Sequence, residues 1–191
     1  MKETKFVVSA ELMSENDLAL AGEEYKNPLL TWVKMIFADN KPNSNNQGIK
    51  SDEFSNLIKS MSYMPIKANY TAEVGLGGHD EAIQIGVIKA GQQQADKVLA
   101  VGALYNDEHP QVVEYFKNEF ASGGRVDFSW EIRYKDSLTE NGIEWLKQVT
   151  TKAVTAVKNP AYQGRTPLLS ISTDDLIKAI DEELKSRGVP V

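Results

Sequence analysis

Two residues of this chain could together break an acyl bond: a serine in a strand-like stretch and a histidine after a run of glycines. Residues 124–134 read Gly-Arg-Val-Asp-Phe-Ser-Trp-Glu-Ile-Arg-Tyr. In an extended chain Val126, Phe128, Trp130 and Ile132 share one face, and Asp127, Ser129, Glu131 and Arg133 share the other. The first face reads as core. The second sets a small hydroxyl between two carboxylates. Alone, Ser129 is an ordinary strand serine, because a hydroxyl becomes a nucleophile only where a base takes its proton. The chain has two histidines. His109 precedes Pro110 at the start of a helix-like segment and reads as a solvated or capping residue. His79 ends the stretch Gly75-Leu76-Gly77-Gly78-His79-Asp80, whose glycines let backbone approach another group closely. That suits a general base, although a loop histidine with a local hydrogen bond is the plainer reading. The stretch is no phosphate loop, since the Walker lysine is missing and no helix follows. No second histidine stands at ligand spacing, so neither a metal nor a cofactor is expected. A Gly-x-Ser-x-Gly elbow is absent, which argues against an α/β-hydrolase. A Ser129–His79 pair is the one enzyme reading that the residues offer.

Composition narrows the setting. The 191 residues suggest one domain, with 41% hydrophobic and 25% charged residues, as in ordinary globular proteins. Cysteine is absent, which excludes disulfides, thiolate catalysis and cysteine-ligated metals. The net charge is -6 and no basic stripe stands out, so no nucleic-acid partner is expected. The apolar runs are too short to span a bilayer, and residues 1–12 lack a signal-like stretch. These features read as a soluble, cytoplasmic protein with no membrane partner.

The elements that would hold the pair follow from periodicity. Strands are expected over 5–12 and 29–38, then a polar loop over 39–48. An amphipathic helix over 51–61 carries Phe54, Leu57, Ile58 and Met61, with Ser51 and Asp52 as its N-terminal cap. Residues 63–70 read as extended. Residues 82–91 and 97–105 alternate as a hairpin. A second helix over 109–124 places Val112, Val113, Phe116 and Phe120 on one side and stops at Gly123–Gly124. The Ser129 strand comes next, then a turn over 136–142. Residues 143–160 are ambiguous, with strand favoured in the second half. A capped amphipathic helix is expected over 172–188. Many strands with few helices predict an α+β fold: a mainly antiparallel sheet or barrel core with surrounding helices.

In this order the segments resemble the prohead, or capsid-maturation, proteases of tailed bacteriophages. The resemblance covers about residues 5–170 and rests on "DNKPNSNNQGI", "GGHDEAIQIGVI", "GGRVDFSWEI" and "AVTAVKNPAYQGRTPL". It implies the assemblin-like fold shared with herpesvirus proteases, and a serine endopeptidase with Ser129 as nucleophile and His79 as general base. It further implies a protease domain over 1–170. The helix within 171–191 is then the start of a scaffold region or a dimer contact. The implied partners are the major capsid protein, the scaffold protein and further copies of the chain, inside a prohead assembling in host cytoplasm. The alternative is a non-catalytic capsid assembly or scaffold component that keeps the protease fold.

The sequence departs from the family at the third catalytic residue. Ala153 occupies the position where an acidic residue or histidine is expected. Thr151 and Thr155 lie two residues to either side, on the same face of an extended strand. A threonine can orient a histidine but cannot stabilise an imidazolium as a carboxylate does. Glu131 shares the face of Ser129, yet reads more simply as a solvated strand residue. The site is thus a Ser–His dyad, or draws a third member from Thr151, Thr155 and Glu131. The family's oxyanion-stabilising arginine finds its counterpart in Arg165 of "YQGRTP".

Overall fold

The structure is a computed structural model and describes residues 27–172. Its strands are β1 (Leu30–Asp39), β2 (Gln47–Gly48), β3 (Pro65–Ala68), β4 (Tyr70–Thr71), β5 (Gly75–Leu76), β6 (Ile83–Gln94), β7 (Lys97–Tyr105), β8 (Asp127–Arg133), β9 (Asp136–Glu140), β10 (Ile143–Lys147), β11 (Thr150–Val157) and β12 (Leu168–Ile171). A 3-10 turn (Ser51–Glu53) leads into α1 (Phe54–Met61), and α2 (Pro110–Ala121) joins β7 to β8.

Among the described residues the main sheet has seven strands in the order β12-β1-β7-β6-β3-β11-β8. Each adjacent pair is antiparallel except β3 with β11. The sheet curls into a half-barrel. Its two ends meet at the antiparallel bridge Asp127–Pro167, where Phe128 N–H donates to the Thr166 carbonyl and Leu168 N–H donates to that of Val126. Ser129 therefore follows directly after the point where the curled sheet touches itself.

The helices close the core. Spacing of three and four residues within α1 buries Phe54, Leu57 and Met61 against β6 and β11. In α2, Val112, Val113 and Phe116 face inward, and the Phe116 ring meets Phe128 edge-on at 6.2 Å. Each such fully buried side chain contributes roughly 1.5–3 kcal/mol. Phe128 is thereby fixed on one face of β8, and Ser129 must face the other way. The expected α+β class holds, with strand predominating.

Several local expectations change. Residues 136–142 are not a turn alone: Asp136–Glu140 is β9, paired with β10 across a two-residue turn. Asn141 and Gly142 have φ of 52° and 78°, the left-handed pair that a tight hairpin requires and that an Asn-Gly sequence supplies. The first half of 143–160 is strand as well. Neither Ser51 nor Asp52 caps α1. Both sit inside the 3-10 turn, after its N-cap Lys50, and no side chain caps either start. His109 occupies the N-cap position of α2, also without a side-chain cap, and Pro110 begins the helix. The strand expected over 5–12 lies outside the described residues. So does the helix expected over 172–188, apart from Ser172, whose backbone and hydroxyl pair with Trp32 of β1.

Candidate active site

Strand register assembles the site. Thr155 on β11 stands opposite Lys67 on β3 and opposite Ser129 on β8. Cross-strand partners share a face, so Lys67, Thr155 and Ser129 form one row across three strands. Glu131 lies two residues beyond Ser129 on that face and opposite Ala153. Ala153 is fully buried, and its single methyl leaves room for the carboxylate.

Glu131 is the hub of the row. Its Oε1 accepts from the Thr155 hydroxyl at 2.8 Å and lies 3.4 Å from His79 Nδ1. Lys67 Nζ donates to both oxygens at 3.2 and 3.1 Å, and Lys152 Nζ stands 3.5 Å from Oε2. The side chain is 18% exposed. The expectation of a solvated strand residue is corrected: neighbours distant in sequence enclose Glu131. Burial pushes its carboxyl up, but the Thr155 and Lys67 hydrogen bonds, the Lys67 charge and the His79 contact together hold it at about 2.

His79 sits in the loop from β5 to β6. Asn69 secures this loop by accepting from Gly77 N–H and donating its side-chain amide to the Asp80 carbonyl at 2.8 Å. The imidazole is 43% exposed. It lines, together with Ser129, Arg125, Asp127, Asn159 and Gly164, an open cleft of about 810 Å³. With Nδ1 turned to Glu131, Nε2 is the nitrogen left for another partner. The Ser129 hydroxyl makes no hydrogen bond to any described residue.

Two of the residues singled out from the sequence lie elsewhere. The ladder between β11 and β8 slips by one between Thr151 and Ala153, with Lys152 as the extra residue. Such a bulge turns the preceding side chain to the opposite face. Thr151 is opposite Ile132, and its hydroxyl donates to the Ser60 carbonyl of α1 at 2.6 Å. Thr151 is therefore turned away from His79, whereas Glu131 reaches the imidazole and Thr155 reaches Glu131. Arg165 is also displaced from its expected role. Its guanidinium binds both oxygens of Asp39 and the Pro42 carbonyl, and it lies over the Tyr162 ring at 4.8 Å.

The arginine in the cleft is Arg125, which sequence reasoning passed over. Its Nε donates to Asp127 Oδ2 at 2.6 Å. Gly164 has φ of 83°, and a Cβ there would come within 2.8 Å of Arg125 Nη2. A larger residue would be strained and would displace the guanidinium. The usable signal was its place in "GGRVDFS": Arg125 stands two residues before a carboxylate and four before the candidate nucleophile.

No group of three or more His, Asp or Glu residues able to hold a metal occurs among the described residues. No helix among them is long and apolar enough to cross a membrane. No protein-family model matches the chain, and no curated protein matches it.

Proposed function

We propose that this chain is a serine endopeptidase: a prohead protease of assemblin-like fold that cleaves scaffold and capsid proteins, and itself, during phage capsid assembly in the host cytoplasm. The observation that carries the reading is the carboxylate of Glu131 at His79 Nδ1, with His79 and Ser129 lining one open cleft. The motif order supports the capsid-maturation assignment, and the curled sheet with few helices is consistent with the assemblin-like fold.

The chemistry follows from the three groups. Ser129 Oγ attacks the scissile carbonyl as His79 Nε2 takes its proton. The imidazolium that forms is stabilised by the Glu131 carboxylate, which stays ionised throughout. His79 then returns the proton to the leaving amine, and water repeats the sequence on the acyl-enzyme. Arg125, held by Asp127, is the cation available to the negative charge that develops in the cleft, the role first given to Arg165.

The test is labelling by a fluorophosphonate probe. The wild type should be labelled, and Ser129→Ala and His79→Ala should not. Ser129→Ala should keep the fold, at a stability cost on the order of 0.5 kcal/mol. A folded wild type that stays unlabelled overturns the protease reading. It would favour the second one, a non-catalytic capsid assembly component.

A further inference from the structure

Glu131 has four partners, and they do not act on it alike. Lys67 and Lys152 supply charge, but their side chains are long and remain 25% and 54% exposed. Thr155 is fully buried, and ladders on both sides fix its backbone, to Lys67 on β3 and to Ser129 on β8. A β-branched side chain on a strand has few rotamers open to it. The carboxylate can only accept, so the Thr155 hydroxyl donates. It donates to Oε1, the oxygen that faces His79 Nδ1; Lys67 spans both oxygens at 3.2 and 3.1 Å, and Lys152 approaches Oε2.

We propose that Thr155 is a positioning residue: its hydroxyl fixes Glu131 so that Oε1 receives the Nδ1 proton of His79, which leaves Nε2 bare for Ser129. The role for Ser129 rests on the protease reading above; the hydrogen-bond chain Thr155–Glu131–His79 stands apart from it. A buried threonine on the strand next to β8 thus acts through the carboxylate and not as a member of the triad. Without its hydroxyl, the two ammonium groups draw the carboxylate toward themselves, and His79 loses the acceptor that sets its tautomer.

The tautomer can be read directly, because the chain has only two histidines and His109→Asn leaves His79 as the sole signal. In ¹⁵N-histidine NMR above the imidazole titration, wild-type His79 should carry its proton on Nδ1. Thr155→Val should move the proton toward Nε2 and slow fluorophosphonate labelling by about 10²-fold, the loss expected when a catalytic group is misplaced by about 1 Å. Thr155→Ser keeps the donor and should restore both readings. If wild-type His79 carries its proton on Nε2, the proposal is overturned. It is equally overturned if folded Thr155→Val keeps both the tautomer and the labelling rate. If Thr155→Val does not fold, Thr155→Ala replaces it with the same expectations. A wild type that is never labelled, yet whose tautomer shifts in Thr155→Val, removes the protease reading and supports the positioning role.

Discussion

Asp39 and Glu131 both hold a carboxylate largely away from water, with side chains 5% and 18% exposed, and both face cations. Among the described residues Asp39 has one cationic side-chain partner. Arg165 grips both its oxygens and uses its other donors on the Pro42 and Tyr162 carbonyls, so that β1 and the loop after β11 are tied together. Glu131 is shared among a threonine, two lysines and a histidine, and one of its oxygens faces the cleft histidine. A guanidinium that spends Nη1 on both carboxylate oxygens, and Nη2 and Nε on two backbone carbonyls, makes a fixed joint. A carboxylate that supports an imidazole must instead be ionised, oriented and within reach of a ring that changes charge. The two acids show that burial and ion pairing alone do not mark a functional group. What sets Glu131 apart is an oxygen turned toward the cleft-lining imidazole of His79.

The largest effect should come from Glu131. Glu131→Gln keeps the shape but removes the charge, and fluorophosphonate labelling of Ser129 should fall by up to ~10⁴-fold, as for the acid of a serine-protease triad. A change of less than tenfold would return Glu131 to a structural role and leave a Ser–His dyad. Arg165→Ala should act on the other acid and on stability alone. It leaves Asp39 buried without its cation, which costs about 3–5 kcal/mol in urea denaturation, while labelling per folded molecule stays unchanged. Should labelling fall with stability nearly intact, Arg165 belongs to the site after all.

Arg125 sharpens the contrast between the arginines. Arg125→Ala should lower the labelling rate by about 10²-fold, the loss expected for one transition-state donor, with a much smaller stability change than Arg165→Ala because its side chain is 51% exposed. Ala153→Glu, which would set an acid where the resemblance to prohead proteases expects one, should be damaging. The new carboxylate would be buried directly opposite Glu131, so urea denaturation should show a loss of several kcal/mol, and labelling should not improve. A faster enzyme from this variant would contradict the assignment of Glu131.

The smallest effect concerns acid. Because the folded structure holds Glu131 at about 2, below its ordinary 4.5, its ionised form contributes stability that is complete above that ordinary value. The contribution is lost as pH falls through the folded value. The stability difference between wild type and Glu131→Gln should therefore shrink from about pH 5 to pH 2, measured by urea midpoints across that range. A difference that stays constant over the window would mean that the ion cluster does not couple to folding.

Much of the scaffold was legible. The β6–β7 hairpin shows in two apolar runs, residues 82–91 and 97–105, split by a short polar link, and α2 shows in the spacing of Val112, Val113 and Phe116 with Gly123 as its stop. These signals are local, so sequence carries them. The Asn141–Gly142 turn was equally legible, but the β9 residues before it are mostly polar and exposed and gave no strand pattern. The site was legible only in part. Ser129 and His79 could be singled out by type. The environment of Glu131 could not, because Lys67 lies 64 residues away in sequence and meets it only through the parallel pairing of β3 with β11. Thr151 was misassigned for a subtler reason: one extra residue at Lys152 turns its side chain to the other face, and period-two reasoning has no means of locating a bulge. Arg165 and Arg125 look alike in sequence. Only the partners that consume their donors separate them.

The central claim is that Ser129 is a nucleophile activated by His79. Mass-spectrometric mapping of the fluorophosphonate adduct tests it most directly. Trypsin should release residues 126–133 as one peptide, and Ser129 is its only serine. A stoichiometric adduct is expected on that peptide in the wild type and none in His79→Gln. An adduct that persists undiminished without the imidazole, or that falls on another peptide, would contradict it.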